Sequence, residues 1–282
     1  MKRRKVHLFA SMLCAFLGVA NALADASPFD KFVDYMVNGT NGVFILNTNC
    51  WAYGIDTSCV SMWNSVAKNE RAGTAISKRH VLAAAHYSLG IGWDLYFCGA
   101  DGNIYTNRVA GSRVVTGTDI QIASLQNELP DAVTPAYLLP TNFHEYIWTG
   151  KHLPVIRFDQ DERCLVSEVS DGLPFFGSSQ THEARFVASR PAIESRQPFF
   201  AHTRGGDSGN PTFLAIGSQS VLLGTAHEGI YQVSDGVYIG CRCPFATYYA
   251  NKIQARMDEL APGYSLHFID LSQFAKLRGG IR

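Results

Sequence analysis

The sequence predicts an all-β fold, a sandwich or barrel, on three observations. Short runs rich in β-branched and aromatic residues recur along the chain. Gly, Asn and Asp turn signals separate them, and the strand–helix alternation of a βαβ fold is missing. The runs fall at 42–46, 73–76, 103–105, 113–115, 121–125, 153–158, 184–188, 220–223 and 236–239. One helix is expected near the C-terminal end. There Phe245, Tyr249, Ile253, Met257 and Leu260 step by four, four, four and three, lining one face that Pro262-Gly263 terminates. Beyond it, an apolar patch at Leu266, Phe268, Ile269, Leu271 and Phe274 is expected to cover the barrel surface.

The first 24 residues read as an export signal. Lys2, Arg3, Arg4 and Lys5 form a basic start, residues 6–20 are almost wholly apolar, and Ala22-Leu23-Ala24 is a small-residue cleavage site before Asp25. The apolar run is shorter than the ~20 residues a membrane span needs, and no other stretch approaches that length. With the signal go four basic and no acidic residues, so 24 basic against 24 acidic become 20 against 24. The resulting net charge of −4 carries no basic block, so neither nucleic acid nor an anionic membrane is expected as a partner. The remaining 258 residues can bury a large core as one β domain or two smaller units. Prolines at 130, 135 and 140 mark the boundary, giving units at 25–145 and 146–282.

Cys14 leaves with the signal and six cysteines stay: Cys50, Cys59, Cys98, Cys164, Cys241 and Cys243. An even count in an exported chain predicts disulfides, of undetermined pairing. Cys50 and Cys59 are near enough to close a short loop. Cys241 and Cys243 are not expected to bridge each other, on the reading that they point to opposite faces of a strand. No C-x-x-C or H-E-x-x-H spacing occurs, so no metal and no cofactor is expected.

Three stretches carry chemistry. In the first, a strand, a turn at Lys78-Arg79 and a second strand lead through Ala83-Ala84-Ala85 to His86, where small residues let a tight turn pack under an imidazole. In the second, Asp119 opens the alternating run Ile120-Gln121-Ile122-Ala123-Ser124-Leu125. The third, Arg204-Gly205-Gly206-Asp207-Ser208-Gly209-Asn210-Pro211, is far more specific. A serine between glycines suits a sharply bent exposed loop, and two N–H groups of such a loop can converge on one oxyanion.

Together these stretches resemble the trypsin/chymotrypsin-like serine peptidases, possibly a bacterial-type member. That family shows Ala-Ala-His, then an Asp-Ile-Ala-Leu-like strand, then Gly-Asp-Ser-Gly-Gly-Pro. Here the counterparts are Ala84-Ala85-His86, the strand after Asp119, and Gly206-Asp207-Ser208-Gly209-Asn210-Pro211, in the same order. Residues 224–229 and 235–238 resemble the family's substrate-pairing and pocket-wall strands, and the likeness extends over roughly residues 40 to 260.

The resemblance implies two packed antiparallel six-stranded β-barrels with a C-terminal helix, and an active site in the cleft between them. It implies a secreted or periplasmic serine endopeptidase acting on protein or peptide substrates. His86, Asp119 and Ser208 would form the catalytic triad, and the N–H groups of Gly206 and Ser208 the oxyanion hole. The residue six before the nucleophile, here His202, would sit at the base of the primary pocket. His202, Thr203 and His227 are then candidates to receive an acidic side chain, with Gly229 on the substrate-binding strand.

Three departures stand out. Asn210 replaces a glycine, Tyr87 replaces a cysteine that braces the histidine loop, and no Ile-Val-Gly-Gly-like start is visible. Activation by a cleaved N-terminus is therefore not expected, and Arg204 or the mature N-terminus is the candidate partner of Asp207. A silent protease-fold binding protein, or an esterase using the same triad, remain the alternatives.

Overall fold

The turn-bounded apolar runs fold as antiparallel strands in the computed structural model, which describes residues 33–38, 44–64, 71–176, 184–232 and 236–274. The export signal lies outside the described residues, as do parts of the expected runs at 42–46 and 236–239's flank at 235. A short ribbon pairs β1 (Met36–Asn38) with β2 (Phe44–Leu46). Next comes a closed barrel of β3 (Val60–Asn64), β4 (Gly73–Ala75), β5 (His80–Ala84), β6 (Asp94–Cys98), β7 (Ile104–Val114) and β8 (Ile120–Leu125). Its strands run in the order β3-β4-β5-β8-β7-β6, closed by β6 against β3. The expected runs at 103–105 and 113–115 are the two ends of one strand, β7.

The second unit is a curled sheet built from β9 (Leu153–Phe158), β10 (Cys164–Val169), β11 (Phe175–Phe176), β12 (Ala184–Ser189), β13 (Pro211–Ile216), β14 (Gln219–Thr225), β15 (Glu228–Gln232) and β16 (Val237–Pro244). Its order is β14-β13-β9-β10-β12-β16-β15, with β11 added on β12. The architecture is the expected two-barrel all-β fold with a C-terminal helix; the first barrel has the expected six strands, and the second unit curls as a half-barrel of eight.

The core is two buried clusters. One fills the first barrel and takes in Ile156, Phe158, Cys164, Phe213 and Leu222 from the second sheet; the other, with Leu139, Phe186, Val221 and Leu223, lies within the second unit. Within the first cluster, Phe158 meets Phe213 edge-on at 6.1 Å and Tyr35 meets Phe158 at 5.2 Å. Full burial of each such side chain contributes about 1.5–3 kcal/mol. The helix α1 (Ala250–Leu260) lays Ile253 and Met257, both fully buried, against β7 and β8. The following segment covers the molecule as expected: Leu266, Ile269 and Leu271 are buried, and Leu138 exchanges backbone hydrogen bonds with His267 and Ile269. Phe268 alone among the patch is largely exposed.

The cysteines differ from expectation. All six in the described residues are free thiols, with no two sulfurs at bonding distance. Cys50 is hydrogen-bonded to Cys164 on β10 and so does not meet Cys59 across its own short loop. Cys241 and Cys243 are two apart on β16 and therefore share a face, bringing their sulfurs to 3.7 Å. The opposite-face reading was wrong, although the pair is still unbridged.

Candidate active site

Strand register brings the histidine and the aspartate to one end of the first barrel. On β5 and β8, Ala84 pairs with Ile120, so His86, two residues past β5, emerges beside Asp119, one residue before β8. The link is tightened by Ala85 N–H donating to the Asp119 carbonyl at 3.0 Å. Asp119 is 8 % exposed and accepts twice from one residue: Oδ1 from the His86 backbone N–H at 2.8 Å, Oδ2 from His86 Nδ1–H at 2.7 Å. With Nδ1 holding that proton, Nε2 is left as an acceptor, and it stands 2.8 Å from Ser208 Oγ. Serine, imidazole and carboxylate thus form one continuous chain.

Ser208 comes from the second unit, in the loop that enters β13. Gly206 and Gly209 on either side take φ of +102° and +88°, in the region that favours glycine. A Cβ on Gly206 would stand 2.4 Å from Gln160 Oε1, and one on Gly209 would press on the Ala72 carbonyl at 3.1 Å. Asn210, where a second glycine was the pattern, has no need of positive φ: its N–H and its Nδ2 both reach the Asp207 carbonyl, each at 3.1 Å. Gly209 N–H donates to Ala226 O and Ala226 N–H to Asn210 O, which ties the loop to the end of β14. Among the described residues, no backbone carbonyl accepts from the N–H of Gly206 or Ser208, the two donors assigned to an oxyanion.

Asp207 is fixed by a group the sequence reading missed. Its carboxylate meets the buried Arg157 guanidinium at 3.5 Å, the Arg204 backbone N–H at 2.9 Å and the Gln160 backbone N–H at 3.1 Å. Burial raises this carboxyl above the usual carboxylate range, with Arg157 and the N–H donors pulling the other way. Arg157 is anchored by Ala201 O at 2.7 Å and Thr203 Oγ1 at 3.1 Å. The Arg204 guanidinium does not hold Asp207, because it pairs with Asp161; the expected mature N-terminus lies outside the described residues. The available signal was an arginine inside the otherwise buried strand 153–158, where a charge requires a partner.

The histidine loop is braced without a disulfide. Arg71 lies 4.3 Å from the Tyr87 ring centroid and 4.8 Å from that of Trp93, and donates to Ser88 O at 2.7 Å.

Beside Ser208 a cavity of about 100 Å³ is walled by Thr203, Asp207, Ala226, His227, Gly229 and Cys241. Thr203, His227 and Gly229 are thus in place, but His202 lies outside, exposed, with its ring edge-on to Phe200 at 5.5 Å. The three residues proposed to receive an acidic side chain do not converge. At the mouth, Glu228 is paired to Arg242 at 2.7 Å. His227 faces Asp119 and His86: its Nε2 is 3.8 Å from Asp119 Oδ2, and its ring centroid 5.4 Å from that of His86.

A scan against protein-family models and a search of curated proteins return no match to this chain.

Proposed function

We propose that this chain is an exported serine endopeptidase of the trypsin/chymotrypsin-like class, which cleaves by way of an acyl-enzyme and is active without a cleaved N-terminus. The observation that carries the reading is the chain Asp119 Oδ2–His86–Ser208 Oγ, with contacts of 2.7 and 2.8 Å made by residues from two different units. An ordinary structural histidine has no reason to join a buried carboxylate to a serine on a sharply bent glycine loop of the other unit.

In this reading Ser208 Oγ attacks the scissile carbonyl while its proton passes to His86 Nε2. Asp119 holds the ring in the tautomer that accepts there and stabilises the imidazolium that results. The carbonyl oxygen becomes an oxyanion between the N–H groups of Gly206 and Ser208, each such donor contributing about 3 kcal/mol in the transition state. His86 then protonates the leaving amine, and water repeats the sequence to release the acyl group. The Arg157–Asp207 pair keeps the loop bent beforehand, so no liberated amine is required. The cavity of about 100 Å³, walled by Thr203, Ala226 and Gly229 as well as Asp207 and His227, has room for a small side chain before the cut bond.

Mass-spectrometric profiling on a peptide library tests this. Internal cleavage after small residues, lost in Ser208→Ala, is expected. Ester hydrolysis with every peptide left intact would reject the endopeptidase.

A further inference from the structure

We infer that His86, Asp119 and His227 form a binding site for a divalent transition-metal ion of the zinc class, which shuts off the triad when it binds. One ring nitrogen from each histidine and one Asp119 oxygen lie within 4.8 Å of one another. Two imidazoles and a carboxylate suit zinc or copper, whereas magnesium and calcium prefer all-oxygen sites.

Both spacings to Asp119 Oδ2 are within about 0.8 Å of what one ion requires, and the imidazole nitrogens, within 4.8 Å of each other, close in by side-chain rotation. Zinc holds nitrogen and oxygen ligands at about 2.0–2.2 Å, so neighbouring ligands on one tetrahedral ion stand roughly 3.3–3.5 Å apart. His227 Nε2 and Asp119 Oδ2, at 3.8 Å, need to approach by a few tenths of an ångström. His86 Nδ1 and Asp119 Oδ2, at 2.7 Å, need to part as the proton between them leaves for solvent. The histidine side chains are 43 % and 33 % exposed while the aspartate is 8 % exposed. A solvent-borne ion therefore meets two accessible imidazoles first and a buried anionic anchor behind them, with remaining positions left for water. The backbone at His227 is anchored by its main-chain N–H, which donates to Arg242 O at 3.0 Å. No local spacing in the sequence reveals the site, since its ligands come from three separate loops.

Occupancy takes the carboxylate oxygen that orients His86, so proton transfer from Ser208 fails. This inhibitory consequence rests on the peptidase reading; the binding itself does not.

The test is calorimetric titration of untagged Ser208→Ala protein with zinc chloride, repeated with His227→Gln and His86→Gln in that background, each checked for folding by circular dichroism. The proposal expects zinc affinity at one site to fall at least roughly tenfold in both variants. It also expects the visible absorption of the cobalt-loaded protein to vanish in both. Unchanged affinity in folded His227→Gln, or a site that depends on only one histidine, overturns it. Histidine-dependent zinc binding in a protein that cleaves nothing would reject the peptidase and leave the metal site standing. A cleaving protein with no such binding would do the reverse.

Discussion

Arg157 Nη1 stands 3.5 Å from Asp207 Oδ2, with both side chains 1 % exposed, so the carboxylate next to Ser208 meets a cation supplied from within a β-strand. Gln160, three residues further on, donates its backbone N–H to the same carboxylate at 3.1 Å and its Nε2 to Gly205 O at 2.7 Å. The bend of the loop that carries Ser208 is thereby written into β9 and the turn that follows it.

Removing the cation leaves a buried charge without its partner. Arg157→Met is expected to lower stability by about 3–5 kcal/mol in urea unfolding and to abolish activity, because the loop no longer presents its N–H groups. Adding Asp207→Asn should recover much of the stability and little of the activity. A fully active, fully stable Arg157→Met protein would show that the pair does not shape the loop.

In the proposed mechanism Asp119 sets the tautomer of His86. Asp119→Asn is expected to reduce kcat by about 10⁴-fold with a nearly unchanged unfolding midpoint, since an amide can keep the position while favouring the wrong proton on the ring. Steady-state kinetics beside thermal unfolding separate the two effects.

A different histidine governs acid stability. His80 is fully buried, with Nε2 at 3.0 Å from Met257 O, Nδ1 at 2.8 Å from Ser77 Oγ, and Tyr264 against its ring. Burial lowers its pKa from 6.5 to about 4, opposed by the Met257 carbonyl and Asp258 and aided by Arg79. The folded protein thus favours neutral His80. Its contribution to stability is complete above the unfolded value of 6.5 and is lost as pH falls from there towards 4. The loss amounts to about 3 kcal/mol across that window. Urea unfolding at pH 7 and pH 4 should show a difference smaller by that amount in His80→Gln than in the parent protein.

The strand runs, α1 and the three triad positions were legible because each is a local pattern: alternation, a step of four, a histidine after small residues, a serine between glycines. Register did the rest, since pairing Ala84 with Ile120 places His86 beside Asp119. What escaped was set by pairs distant in sequence. Arg157 reaches Asp207 across fifty residues, and the seat of His227 beside Asp119 depends on where β14 ends against the first barrel. The sulfur partners likewise follow from strand faces: Cys241 and Cys243 share one, whereas Cys50 turns to β10 and away from Cys59. The six strands expected of the second unit follow from the family resemblance. The strand runs in the sequence mark only part of its sheet, missing β10 (CLVSEV) and β15 (EGIYQ), where polar residues break the pattern, and also β11 and β13.

The central claim is that His86 and Asp119 activate Ser208, and reaction of the purified protein with a fluorophosphonate probe tests it most directly. One probe per molecule, attached at Ser208 by peptide mapping and absent from Ser208→Ala and His86→Ala, is the predicted result. A folded protein that takes up no probe, or takes it up equally in Ser208→Ala, would contradict it.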